Sequence, residues 1–112
     1  MLTLLYKDPT EFIAALMVDD DEIVEDVMGG CGFCAIQVVT KTDGVTTSVW
    51  VEAGYYIDDT LHALRWLMFT THTSLPSAVM TAEEEANAVC VRISEAAKLN
   101  GVPVRRAHFL TK

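Results

Sequence analysis

Two strand-like runs joined by a tight turn constrain the fold most. Residues Cys34–Lys41 and Val45–Ala53 are rich in β-branched and alternating side chains, and Asp43-Gly44 lies between them. An Asp-Gly pair in this position is a strong signal for a β-hairpin with a two-residue loop. A turn at this pair predicts that Thr42 pairs with Val45 and that the two strands are antiparallel.

This register sorts the hairpin side chains into two faces. One face is predicted to carry Cys34, Ile36, Val38, Val49, Val51 and Ala53, and the other Phe33, Ala35, Gln37, Val39 and Trp50. Every core-like pair falls in the first set, which supports the assignment of faces because a one-residue slip would mix the sets. The second face is open if helices cover one side of the sheet. An aromatic, apolar face of this kind is typical of an interface, so Phe33 and Trp50 are candidate partner-binding residues.

The rest of the chain predicts a mixed α+β domain. Before the hairpin, the patterns predict a strand at 2–6 and a helix that is capped by Asp8, ends at Gly29-Gly30 and has a break near 19. After the hairpin, they predict a helix over 56–71, a second helix over 81–100 that begins with a Thr81/Glu84 capping box, and a strand over 102–110. We therefore expect a single α+β domain over 1–112, with an antiparallel sheet of about four strands and helices on one face. Merging the two later helices gives the ferredoxin-like βαββαβ order.

The predicted helix over 56–71 carries polar candidates for chemistry. His62, Trp66 and Phe69 form a stripe expected to pack on the next helix. Asp58 and Asp59 suit a helix cap, and with His62 they also suggest an acid–base pair. No nucleophile elbow, phosphate loop, dinucleotide fingerprint or zinc-protease motif accompanies them, so we expect no enzyme, no catalytic residue and no cofactor.

Cys31 and Cys34 form a CxxC motif at the start of the hairpin. In an extended strand their Cα atoms would lie roughly 10 Å apart, beyond the roughly 7 Å that a disulfide tolerates. Cys34 is therefore predicted to be a core residue. The alternatives are a thiol-redox pair and a zinc site completed by Cys90 and a histidine, although no second CxxC supports the metal.

Acidic residues dominate the charge of the chain. Sixteen Asp and Glu face eight Lys and Arg, and the surplus of eight equals the number of carboxylates within residues 8–26, where no Lys or Arg occurs. This balance disfavours direct binding to nucleic acid or to anionic membranes. The candidate docking residues in this acidic segment are Asp19, Asp20, Asp21, Glu22, Glu25 and Asp26, and their expected partner is a protein with a basic surface. The alternative is a solvated helix flank with ordinary caps.

These patterns together predict a non-enzymatic protein-binding module. Its sharpest form is a small acidic inhibitor of a nucleic-acid-handling complex, of the kind that phages use against host defences. The alternatives are a small thiol-redox or other enzyme that uses Cys31 and Cys34, and a homodimeric structural or assembly protein joined through the Trp50 face. The sequence contains no evident signal peptide or membrane span and an odd number of cysteines, so we expect a reduced, cytoplasmic protein.

Overall fold

The computed structural model describes residues 2–18, 25, 27, 30, 32–73 and 75–106. The elements in chain order are β1 (Leu2–Tyr6), α1 (Pro9–Val18), β2 (Gly32–Asp43), β3 (Thr46–Ile57), β4 (Thr60–Thr73), α2 (Pro76–Leu99) and β5 (Val104–Arg106). The expected α+β class is confirmed. The expected four-stranded antiparallel sheet and the ferredoxin-like order are wrong, because five strands form one mixed sheet.

The sheet has the strand order β1-β4-β3-β2-β5. β2, β3 and β4 form an antiparallel meander, and the short β1 and β5 pair in parallel with β4 and β2. It follows that β3 runs in one direction and the other four strands in the opposite direction. The parallel edge strands are possible because each is connected to the meander through a helix rather than a tight turn.

The β2–β3 hairpin turns one residue later than its Asp-Gly pair predicts. Asp43 pairs with Thr46, so that Gly44 and Val45 form the loop, and Val38 faces Val51 instead of Val49. Gly44 has a positive φ of 62°, and a glycine with positive φ at the first loop position is the pattern of a type II′ turn. The register moves by two residues, which leaves every side chain on its predicted face.

The segment predicted as a helix over 56–71 is instead the end of β3 followed by most of β4. Asp58 and Asp59 both have positive φ, 51° and 64°, and form the two-residue loop between these strands rather than a helix cap. Positive φ at both loop positions is the type I′ pattern, which matches the twist of the flanking strands. His62 and Phe69 each fall at a shift in the β3–β4 pairing, so each is the extra residue of a β-bulge.

Both helices pack on one face of the sheet. Phe12 and Leu16 of α1 and the buried stripe of α2 (Ala82, Ala86, Val89, Ile93 and Ala97) form one core cluster with Cys34, Ile36, Val49, Val51, Ala53 and Leu67. We call this side of the sheet the core face. Val27 is fully buried in the same cluster. The small alanines of α2 allow the helix to lie close to the strands.

Two predicted boundaries differ in the second half of the chain. α2 begins at Pro76, which suits the first helical position, and Thr81 lies inside the helix with its hydroxyl donating to the Ser77 carbonyl. The predicted capping box at Thr81 is therefore wrong. β5 covers 104–106 of the strand predicted over 102–110, and residues 107–110 lie outside the described part of the chain.

Candidate protein-binding face

The side of the sheet opposite the helices carries a row of large aromatic and apolar side chains. We call it the outer face; its members include Leu5 of β1, Phe33, Ala35, Gln37, Val39, Lys41 and Asp43 of β2, Trp50, Glu52, Gly54 and Tyr56 of β3, Leu64, Trp66 and Met68 of β4, and Arg105 of β5. Its large side chains are partly buried. The smallest dimension of the molecule is 19 Å. That thickness fits one sheet and one helix layer, since a further layer adds about 10 Å.

The centre of the outer face is a hydrogen-bonded aromatic cluster. The rings of Trp50 and Trp66 meet edge to face, with centroids 6.1 Å apart and an interplanar angle of 66°. The Trp50 indole donates to one oxygen of the Glu52 carboxylate at 2.9 Å, and the Gln37 amide donates to the other at 3.0 Å. These bonds hold the tryptophan pair in one geometry and leave little side-chain freedom to lose upon binding.

A second aromatic group lies toward the start of β2. Phe33 stacks on Tyr56 with centroids 5.6 Å apart, and the guanidinium carbon of Arg105 lies 4.6 Å from the centroid of the Phe33 ring. This cation–π contact fixes Arg105 against the face while its charge stays near the surface. Aromatic rings and arginine are the side chains most enriched at the energetic centres of protein interfaces.

The outer face is electrically balanced although the chain is acidic. Within the five described strands, its charged side chains are Lys41 and Arg105, which are positive, and Asp43 and Glu52, which are negative. Two positive and two negative charges cancel, so the whole surplus of eight carboxylates lies elsewhere in the chain. A partner that covers this face is therefore bound through apolar contact rather than long-range attraction.

The predicted interface residues divide into two groups. Phe33 and Trp50 lie together on the outer face, as their positions in the hairpin predict. Of the acidic candidates, Glu25 lies within the described residues and is exposed. Asp19, Asp20, Asp21, Glu22 and Asp26 lie outside them, so the acidic docking surface stays a prediction.

The sequence patterns missed the β4 half of the outer face. Leu64, Trp66 and Met68 alternate at a spacing of two, which is the signal of a half-buried strand. That signal spans only the six residues between the two bulges. The predicted stripe of His62, Trp66 and Phe69 does not exist as a helix face, because Trp66 points outward and the other two residues occupy bulges.

The thiol candidates are poorly suited to chemistry. Cys34 is a fully buried free thiol on the core face, and burial raises its pKa to about 12. A thiol that stays protonated at neutral pH is a weak nucleophile. Cys31 lies outside the described residues. Among the residues that the structure describes, no three His, Cys, Asp or Glu side chains cluster closely enough to hold a metal ion.

A groove of about 450 Å³ lies between α2 and the β2–β5 edge of the sheet. Its walls include Ile36, Cys90, Val91 and Val104, with Arg106 at the rim. Burial raises the pKa of Cys90 to about 11, against a smaller lowering by the charge of Arg106. The groove thus presents a protonated thiol between apolar and polar side chains, and such a thiol offers packing rather than catalysis.

The acid–base pair suggested by Asp58, Asp59 and His62 is separated by the strand geometry. Both aspartates lie in the exposed loop, whereas His62 lies at a bulge in β4. The single helical turn that would have brought the three side chains together does not form.

Comparisons with known proteins give no assignment: no protein-family model, no curated protein and no solved structure matches the chain. Across the described residues, no helix is both long enough and apolar enough to span a membrane.

Proposed function

We propose that this chain is a non-enzymatic protein-binding module that docks through the outer face of its sheet. The observation that carries the proposal is the aromatic cluster of Trp50 and Trp66, held in place by Glu52 and Gln37 on the face that neither helix covers. The rings of Trp50 and Trp66 are partly exposed, and a contiguous apolar surface on a small protein often marks an interaction site. The buried, protonated Cys34 and the dispersed Asp58, Asp59 and His62 weigh against the enzymatic alternatives.

A paired set of variants tests the docking face. Trp66→Glu places a carboxylate at the centre of the outer face, and Val91→Glu places one on the exposed surface of α2, where Val91 is 56% exposed. The two changes add the same charge to opposite sides of the molecule. We expect a protein partner from the source cells to be retained by wild type and Val91→Glu and lost by Trp66→Glu. Equal retention by both variants, with both folded by circular dichroism, would contradict the proposal.

The acidic character of the chain favours a sharper form of the same function, an inhibitor of a nucleic-acid-handling complex. The net charge of the chain is −8, whereas the charged side chains of the described strands cancel on the outer face, and Asp8, Glu11 and Glu25 of the acidic segment are exposed. Such a surface complements the basic surface that another protein uses for phosphates. Phage-type anti-defence inhibitors are one class that works in this way.

Charge reversal tests this sharper form. We expect replacement of Asp20, Asp21, Glu22 and Glu25 by lysine to weaken binding to a basic partner, and we expect added salt to weaken wild-type binding, since exposed charges are screened. Partner binding that is unchanged by the reversal and insensitive to salt would contradict the inhibitor form. That result would not bear on the proposal that the chain docks through its outer face.

A further inference from the structure

We propose that the occupant of the outer face is a second copy of this chain, packed face to face about a two-fold axis. This inference rests on the proposed function, because it assumes that the outer face docks on a protein. It names the partner. The resulting dimer has four layers in the order helices, sheet, sheet, helices, an architecture in which two sheets share one apolar interior.

The charge distribution favours self-association over a basic partner at this face. An acidic chain attracts basic proteins, but the attraction is strongest where the carboxylates lie, and the outer face has no net charge. Two copies can therefore bring the described residues of their outer faces together without net repulsion.

The size of the face suits a specific dimer. With about 3.3 Å per residue and about 4.8 Å between strands, the five strands cover on the order of 700 Å². A standard protein interface buries about 600–1,000 Å² on each partner, and the area of the outer face falls within that range. The outer face is thus large enough for a stable interface, with the aromatic cluster near its centre and the threonine- and serine-rich ends of β2, β3 and β4 as a polar rim.

The aromatic cluster is preorganised for a flat, symmetric contact. Trp50 and Trp66 already touch, Phe33 and Tyr56 already stack, and Glu52 already accepts two hydrogen bonds. A second sheet can therefore pack on these rings without breaking a polar contact of the monomer. Because aligned sheets cross at about 30°, the rings of one copy can interdigitate with those of the other.

The tryptophans supply a direct probe, because both tryptophans of the chain lie on the outer face. In a dimer they are covered further, and in a monomer they are partly exposed to water. We expect sedimentation equilibrium of the wild type to give twice the chain mass, and its tryptophan emission to shift to longer wavelength upon dilution below the dissociation constant. Loading concentrations from about 0.1 µM to about 100 µM cover the range of moderate homodimers.

The matched variants locate the interface. We expect Trp66→Glu and Leu64→Glu to weaken self-association by at least about 100-fold, because each buries two unpaired like charges at the two-fold contact. Val91→Glu on the helix side is expected to leave the mass unchanged. If Trp66→Glu does not fold, Leu64→Glu still tests the interface. The dilution experiment on the wild type tests self-association without any variant.

The outcomes separate this inference from the proposed function. A wild type that is monomeric at about 100 µM overturns the dimer, since even weak specific homodimers assemble there. A dimer that resists both outer-face variants overturns it as well. If wild type is monomeric but Trp66→Glu still loses a cellular partner that Val91→Glu keeps, the dimer fails and the docking function stands. If neither self-association nor capture depends on the outer face, both fail.

Discussion

The hydroxyl of Tyr55 in β3 donates a hydrogen bond to the backbone carbonyl of Leu16, in the last turn of α1. The carbonyls at the end of a helix have no intrahelical donor, and Leu16 is buried, so water cannot serve this one easily. Tyr55 therefore ties the end of α1 to the centre of the sheet.

Removal of this hydroxyl should destabilise the fold. We expect Tyr55→Phe to lower the free energy of unfolding by about 1–3 kcal/mol, because a buried carbonyl loses its donor. Tyr6→Phe is a suitable control, since Tyr6 contacts Phe12 through its ring, with centroids 5.8 Å apart. Urea unfolding followed by circular dichroism compares the two, and equal losses would contradict the assigned role of the Tyr55 hydroxyl.

The β3–β4 loop can be stabilised by a change that would harm a helix. Asp58 and Asp59 adopt positive φ, which glycine tolerates without cost. We expect Asp59→Gly to raise the free energy of unfolding by about 0.5 kcal/mol, because an Asp-Gly pair suits a type I′ turn. If this segment were helical, the same change would instead destabilise the protein by about 1 kcal/mol.

The direction of that change is measured by urea unfolding of wild type and Asp59→Gly side by side. Asp59→Val is the matched control, because a β-branched side chain disfavours positive φ and should destabilise the loop. A stabilising valine, or a destabilising glycine, would count against the hairpin.

The two hairpins show what a single sequence can and cannot specify. The faces of β2 and β3 are predictable because their side chains alternate over long runs, and a register error of two residues preserves the faces. β4 is not predictable in this way, because the bulges at His62 and Phe69 shift the alternation. The apolar residues of β4 then fall at intervals that are typical of a helix, as Leu61, Leu64, Leu67 and Met68 do.

Of the outer face, only the part formed by β2 and β3 was predictable from the sequence, because only these strands alternate regularly. Phe33 and Trp50 lie in the regular runs, whereas Trp66 lies between the two bulges. Arg105 belongs to a three-residue strand whose position depends on tertiary pairing with β2. Its contact with Phe33 joins residues that are far apart in the chain, and no local pattern encodes it.

Burial of Cys34 predicts a thiol that is inert in the folded protein. We expect Cys34 to stay unmodified by the thiol reagent DTNB near neutral pH and to react fully in urea, since burial limits both access and ionisation. Cys34→Ala identifies its contribution to the count of reactive thiols. Rapid modification of Cys34 in the native protein would revive the thiol-redox alternative.

The same thiol predicts a loss of stability in alkali. Its pKa is about 12 in the folded protein and about 8.5 in an unfolded chain. The unfolded state therefore releases its proton first, so the contribution of Cys34 is complete below about pH 8.5 and is lost as the pH rises toward about 12. Between pH 7 and pH 10 we expect Cys34 alone to cost about 2 kcal/mol.

Comparison with Cys34→Ala isolates this effect. The variant lacks the ionisable group, so its free energy of unfolding should fall less between the same two pH values, although its value at pH 7 is lower because of the missing sulfur. Burial raises the pKa of Tyr55 too, and this part of the decline is common to both proteins; the smaller contribution that the Cys34 thiolate makes to the pKa of Tyr55 is lost in the variant and adds to the difference between them. Parallel pH profiles for the two proteins would show that Cys34 does not titrate as its burial implies.

Gly54 is required by the close approach of β3 and β4 beneath the outer face. A Cβ atom at this position would collide with the backbone carbonyl oxygen of Ala63 on the neighbouring strand. Since backbone cannot move aside as a side chain can, we expect Gly54→Ala to lower the free energy of unfolding by about 1–3 kcal/mol. Gly44→Ala is the control, because a Cβ there meets open space and the cost comes from its positive φ alone.

Gly54 lies between Glu52 and Tyr56, so its replacement should also disturb the outer face and weaken self-association, whereas Gly44→Ala should leave self-association unchanged. An unaltered dimer in a folded Gly54→Ala variant would mean that the centre of the face tolerates strand displacement, contrary to the tight packing of its rings.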